Sequence, residues 1–315
     1  MVIARDAVII YLKGTALVPF FLYLSFNALR MKKTFFFISA IVILSVFVAC
    51  GGEKDPKLIA EGPYETFVPA TKTSPAYVRI DRQTINLNDF QKDEDGFITI
   101  FDGTFKGWRG YNREDVPDRW VIDNDAIKFS GSGGGEAQEN DGGDLIFAYK
   151  FKNFEVSIDW KCSKGANSGI FYLAQEIKGE PIYISSPESQ VLDNENHPDA
   201  RMGKDGNRQS TSLYDMIPAK PQNANPFGEW NNTTIIVYRG TVLHQQNGEN
   251  VLEYHLWTPQ WTDLLQNSKF KPKGEFPLAF DLMNNLGGEK REGYIGLQDH
   301  GDDVWFKNIR IKILD

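Results

Sequence analysis

An all-β sandwich is the fold this sequence predicts, and three observations predict it. Phe154, Val156, Ile158 and Trp160 alternate with Glu155, Ser157 and Asp159, the period of a strand with one buried face. Turn dipeptides recur at close spacing, at Asn124-Asp125, Gly142-Gly143, Lys164-Gly165 and Asn247-Gly248. Helical periodicity is scarce. Many short strands with few helices pack as two sheets around one core.

The elements follow in order. Residues 1–50 read as a leader and lipoprotein signal peptide. Met31-Lys32-Lys33 gives a charged start, Thr34 to Ala49 carries no charge, and Ala49 precedes Cys50, the expected site of cleavage and lipidation. Met31 reads as the true start. Residues 51–95 are polar, with scattered Pro and Thr, and read as a tether. The folded domain is expected over 96–315. Within it, Thr233 to Tyr238 is a β-branched run read as a strand buried on both faces. The last strand, Val304 to Ile313, changes parity, and a bulge near Lys307-Asn308 would bring Val304, Phe306, Ile309, Ile311 and Ile313 to one face. Thr258-Pro259 before Trp261, Leu264 and Leu265 predicts one short capped helix. A jelly roll of the concanavalin A type, two curved antiparallel sheets, suits this pattern best.

Composition narrows the function. The net charge is −8 with no basic cluster, which argues against nucleic acid as a partner. Cys50 and Cys162 are the two cysteines, so with Cys50 lipidated no internal disulfide is available and Cys162 reads as a structural thiol. Seven Trp, twelve Tyr and 22 Phe can fill a sandwich core or stack on sugar rings, and composition leaves both uses open. The sequence has no Gly-x-Ser-x-Gly, no His-Glu-x-x-His and no zinc-binding cysteine pair. The glycine run Gly131 to Gly135 lacks the Lys-Ser/Thr ending of a phosphate loop and reads as a loop.

Carboxylates, amides and histidines remain as the groups for chemistry. Glu188 and Gln190 share a strand face by the period of two, an acid beside an amide on a face open to a sugar. Gln298 and His300 are spaced alike, and histidine exchanges a proton near neutral pH. Asp299, Asp302 and Asp303 crowd the same turn, where a divalent cation is conceivable, although solvated turn carboxylates are the simpler reading. Asp193 to Pro226 is a long polar segment without periodicity, of the kind that shapes sites. Within it, Ser212-Leu213-Tyr214-Asp215 reads as a short returning strand. Glu229-Trp230-Asn231 offers a second acid, a stacking ring and an amide.

Read in order, the segments Asn167 to Phe171, Glu188 to Asp193, Gly228 to Asn231 and Gly293 to Gly301 resemble the 3-keto-disaccharide hydrolase family. The resemblance opens at Phe101-Asp102-Gly103 and closes at Val304 to Ile309. Gly51-Gly52-Glu53-Lys54-Asp55 resembles the surface-export signal of Bacteroidetes lipoproteins, which implies the outer membrane and its outward-facing leaflet. Many family members carry Arg soon after Asn-Ser-Gly, where this chain has Phe171-Tyr172-Leu173; its role would be lost or move to Arg201 or Arg208. The resemblance implies the same jelly roll and cleavage of glycosides whose C3 hydroxyl a separate oxidoreductase has made a ketone. Glu188 or His300 would act as base and Glu229 as acid, with the Gln190 and Asn167 amides or a cation at the enolate. Asn167, Gln190, Tyr214, Trp230, Asn231 and Gln298 would bind the sugar. Two other readings stay open: hydrolysis of unoxidised sugars by two carboxylates, and a carbohydrate-binding lipoprotein without catalysis.

Overall fold

The computed structural model describes residues 64–131 and 142–315. The leader, Cys50 and the first part of the expected tether lie outside the described residues. The strands are β1 (Glu65–Val68), β2 (Tyr77–Ile80), β3 (Phe97–Thr99), β4 (Trp108–Gly110), β5 (Trp120–Asp123), β6 (Ala126–Phe129), β7 (Leu145–Phe151) and β8 (Phe154–Cys162). There follow β9 (Asn167–Ala174), β10 (Glu176–Ile177), β11 (Glu188–Leu192), β12 (Asn231–Tyr238), β13 (Thr241–Gln246), β14 (Glu249–His255), β15 (Gly293–Leu297) and β16 (Val304–Ile313). Two antiparallel sheets dominate. One has the order β14-β13-β12-β8-β16-β6-β5 with β3 also on β16, and the other β11-β9-β15-β7-β4.

The alternation read in β8 is the alternation observed. Phe154, Val156, Ile158 and Trp160 are buried in the core between the sheets, with Phe129, Phe147, Tyr172 and Phe306. The parity change in β16 is a bulge: its register against β8 shifts between Lys307 and Arg310, and Asn308 takes φ +49°. Val304, Phe306, Ile309 and Ile311 are buried as expected, while Ile313 at the strand end is exposed. Asn247-Gly248 joins β13 to β14 with φ of 52° and 82°, the hairpin turn that two left-handed residues make. The capped helix is α1 (Pro259–Gln266), where Thr258 Oγ1 accepts from the Trp261 N–H at 3.2 Å. A second short helix, α2 (Ala279–Asn284), carries no cap of this kind. Cys162 is a buried free thiol whose pKa burial pushes up to about 12.

Two readings need correction. β12 is not buried on both faces, since Ile236 is half-buried and Tyr238 exposed; β-branching favours a strand but does not say how many faces are covered. The span 65–95 is not a simple tether. β1, β2 and β10 form a third, three-stranded sheet, with Val78 and Ile80 buried. The alternation Tyr77-Val78-Arg79-Ile80 is short but sufficient to seat one face on the domain.

The outer face of the five-stranded sheet, away from the shared core, is divided in two. One part is apolar, with Ile146, Phe171 and Tyr294 packed on Tyr111 and Ile182. It is anchored by a buried ion pair in which both Arg109 Nη atoms reach the Glu176 carboxylate at 2.7 Å. The other part is polar and carries the candidate site.

The core between the sheets also contains a titratable strut. His244 on β13 is fully buried; its Nδ1–H donates to the Thr211 carbonyl at 2.9 Å. Its Nε2 therefore accepts from the Tyr172 hydroxyl at 2.7 Å, and Tyr172 accepts from Tyr254 at 2.5 Å. Burial lowers the His244 pKa to about 4. Because the folded value lies below the ordinary one, this stability is present above about pH 6.5 and is lost as pH falls toward the folded value. Urea unfolding between pH 7 and pH 4 should reveal an acid-side loss to which His244 contributes about 3 kcal/mol. In His244→Asn that share should disappear.

Candidate active site

The site is assembled by strand pairing. β11 is antiparallel to β9, with Glu188 opposite Phe171 and Gln190 opposite Gly169. On the other side of β9, the Gln298 N–H donates to the Gly169 carbonyl at 2.9 Å. Asn167, Gly169, Glu188, Gln190 and Gln298 thus share one face, by the same period that sends Ile170, Tyr172 and Val191 into the core. Gly169 is the low point of that face. A Cβ there would lie 2.4 Å from Glu188 Oε1, so the Glu188 carboxylate leans over the space that glycine leaves.

The free edge of β11 is completed by the segment read as a returning strand. The Thr211 N–H donates to the Gln190 carbonyl at 2.7 Å, the Gln190 N–H to Ser212 at 3.1 Å, and the Tyr214 N–H to Glu188 at 3.0 Å. This places Tyr214 beside Glu188, and burial followed by the Glu188 and Asp199 carboxylates pushes its hydroxyl well above the usual tyrosine range.

The floor is buried and incompletely paired. Asn167 is 4% exposed, Glu188 6%, Gln190 0% and Gln298 4%. Asn167 Oδ1, Gln190 Nε2 and Gln298 Oε1 have no partner among the described residues. Such orphans cost about 1–3 kcal/mol each unless a ligand or an ordered water satisfies them. The Gln190 amide is oriented by its Oε1, which accepts from the Val191 N–H at 3.2 Å, so a donor is left at the floor. Asn167 Nδ2 lies 3.1 Å from His300 Nε2.

Around the floor stand half-buried polar groups. The rings of His300 and His197 meet edge to face at 6.2 Å. The Asp199 N–H donates to His197 Nδ1 at 3.2 Å, which leaves the neutral ring's proton on Nε2. Burial and then His300 lower the His197 pKa, so the ring is neutral at pH 7. Asp199 accepts from the Tyr214 hydroxyl at 2.9 Å and from Arg208 Nη1 at 2.7 Å, and Arg208 also bonds Asp215 at 2.9 Å. Burial works against the Arg208 charge, but the Asp199 and Asp215 carboxylates hold its pKa above the ordinary value. His197 and Asp199 were legible only as members of the aperiodic polar segment, whereas Arg208 was one of the two expected substitutes for the family arginine. Arg201, the other expected substitute for the family arginine, is exposed and reaches the Glu195 carbonyl.

Three expected site residues are elsewhere. The turn before β12 is fixed to the other sheet, where the Gly228 N–H donates to the Cys162 carbonyl at 2.9 Å. Glu229 is exposed on that turn. Trp230 packs under Lys161 and Lys307 on the outer face of the eight-stranded sheet. Asn231 is buried but occupied, its Oδ1 accepting from the Asn225 N–H and from Asn247 Nδ2. The turn carboxylates are occupied as well. Asp299 accepts from the Gly143 and Gly301 N–H groups, Asp302 from the Asn167 N–H, and Asp303 from the Gly131 N–H and Lys128. Among the described residues no group of three or more His, Cys, Asp or Glu is placed to hold a metal ion.

The two-sheet sandwich thus brings a buried acid, orphaned amides and two histidines together, groups suited to hydrogen bonding with a ligand rich in hydroxyls. Comparison with known proteins narrows the class. Residues 96–312 match the family described as the 3-keto-alpha-glucoside-1,2-lyase-like domain. A Bacteroides thetaiotaomicron protein named 3-keto-disaccharide hydrolase is 59% identical over 295 residues, which cover 90% of this chain and all of that one. A crystal structure of a candidate glycosyl hydrolase from Parabacteroides distasonis superposes with a TM-score of 0.58 at 25% identity, covering 74% of this chain and all of that one. A second from the same organism, at 22% identity and a TM-score of 0.51 over 69% of this chain and 99% of that one, shares the fold. The chain belongs to the 3-keto-alpha-glucoside-1,2-lyase-like family, and these relatives support a glycoside hydrolase.

If the Glu188 carboxylate must rest over Gly169 to work, Gly169→Ala should lower turnover about a hundredfold, the scale of a misplaced catalytic group. The protein should still fold, because the atoms the methyl group meets belong to the Glu188 side chain rather than to backbone. Kinetics and thermal unfolding of the same preparation check both halves.

Proposed function

We propose that this protein cleaves glycosides carrying a ketone at C3, by removal of the C2 proton, elimination of the C1 substituent and addition of water. The observation that carries this reading is the pair on β11: a buried carboxylate, Glu188, two residues from an orphaned amide donor, Gln190 Nε2, on the same face. A C3 carbonyl acidifies the C2 proton, so a single carboxylate suffices as base. The electron pair moves to the C3 oxygen, which accepts from Gln190 Nε2 as charge develops. The C1–O bond then breaks, and His300 supplies the proton to the departing oxygen in place of Glu229. Water adds at C1 and its proton restores His300, while C2 regains a proton from Glu188, which exchanges with solvent, for net hydrolysis. Asn167 Oδ1 and Gln298 Oε1 accept from sugar hydroxyls, so Asn167 serves as an acceptor rather than at the enolate.

The names of the relatives support the keto sugar as substrate. The two-carboxylate alternative lacks support from Asp193, whose oxygens accept from Gly165, Glu195 and Asn196. The ketone would come from a separate glycoside 3-oxidoreductase. Cys50 would anchor the enzyme to the outer membrane, and Cys50→Ala should move it to the soluble fraction; unchanged membrane association with normal leader removal would count against the anchor.

Purified protein should turn over 3-keto-glycosides and leave the unoxidised sugars intact. Glu188→Gln should reduce turnover about a hundredfold or more, the scale of lost general base help. Gln190→Glu, which puts an acceptor where the ketone needs a donor, should weaken keto-sugar binding about tenfold or more. Efficient cleavage of unoxidised sugars would favour the two-carboxylate enzyme, and saturable binding without turnover of either would favour a lectin.

A further inference from the structure

We infer that His244, buried between the sheets, is a positioning residue for the active site, acting through the Thr211 carbonyl on the segment that carries Tyr214 against Glu188. The inference rests on the Glu188 face being the reacting site. His244 belongs to β13, in the sheet that contributes nothing to that face. Its Nδ1–H donates to Thr211 O at 2.9 Å, and this bond crosses the core.

Thr211 needs holding. It is a β-branched residue at φ +61°, a conformation that costs about 1–3 kcal/mol and persists only where the surroundings enforce it. The surroundings are specific. Besides His244, Thr211 Oγ1 lies 3.0 Å from Thr233 Oγ1, which also accepts from Trp160 Nε1 at 2.9 Å. From Thr211 the chain runs directly along β11, bonding Gln190 through Thr211 and Ser212 and Glu188 through Tyr214. Asp215, at φ +60°, closes the other end of the segment. Its carboxylate bonds Arg208 and the Lys269 N–H at 2.9 Å each. The segment is thus pinned at both ends, and its core-side pin is a histidine nitrogen.

The two nitrogens of His244 face different partners, which makes the claim separable from bulk stability. Asparagine places an amide N–H near the position of Nδ1 and can keep the bond to Thr211 while losing Tyr172. Glutamine places its amide near Nε2 and can keep Tyr172 while losing Thr211. Both truncate the ring and both should lower the melting temperature. The expected result is a kcat for His244→Gln lower than wild type by about tenfold or more, with KM changed less, and a kcat for His244→Asn within about threefold of wild type. Amide hydrogen exchange over 211–214 should accelerate in the glutamine variant only. Tyr172→Phe, which leaves the Thr211 bond in place, should behave as His244→Asn does.

Equal loss of kcat in the glutamine and asparagine variants, in step with their melting temperatures, would overturn the inference. So would unchanged exchange over 211–214 in His244→Gln. Wild-type protein that turns over no 3-keto-glycoside, with exchange responding as expected, would overturn the proposed function and leave the pin on Thr211 standing.

Discussion

The absence of a side chain at Gly169 sets the geometry on which the site depends. β9 lies between β11 and β15, so any Cβ at that position would collide with the group that leans across from the next strand. With glycine there, Glu188 folds over the sheet instead of standing away from it, and its carboxylate is brought low among the Asn167, Gln190 and Gln298 amides. Burial then does two things at once. It lowers the exposure of the carboxylate, and it leaves the amides with atoms that a ligand can satisfy.

Such a floor is stable because its frame is not asked to move. The apolar half of the same sheet face is closed over Phe171 and Tyr294 and anchored by Arg109 and Glu176. On the opposite edge, the 211–214 segment extends β11 and is fixed from below by His244 and from the side by the Asp215 contacts. Beside Glu188, Arg208 is bonded to Asp199 and Asp215, and Tyr214 to Asp199, so the rim holds itself in place.

Local periodicity carried much of this in the sequence. The parity of β8, the bulge in β16 and the Thr258 cap were legible because each is decided within ten residues. Parity also put Glu188 with Gln190 and Gln298 with His300. What parity cannot say is which strands are neighbours. Glu229 and Trp230 look equally suitable by composition, yet the Gly228 bond to Cys162 commits them to the other sheet. Glu188 and Gln190 show the same limit, since parity places them on one side of β11 but does not say that the strand is buried on both faces. His244 was silent for a related reason. A single histidine in an alternating strand acquires meaning only when Thr211, 33 residues away, is known to sit opposite it.

The central claim is that Glu188 removes a proton from the carbon beside a ketone. Running the reaction of a 3-keto-glycoside in deuterated water tests it most directly, because the proton lost at C2 must be regained from solvent. Mass spectrometry or proton NMR of the released keto sugar should show one deuterium at C2. Efficient release of the sugar with hydrogen retained at C2 would contradict the account, since the C1–O bond would then have broken without the proton transfer on which the roles of Glu188 and Gln190 depend.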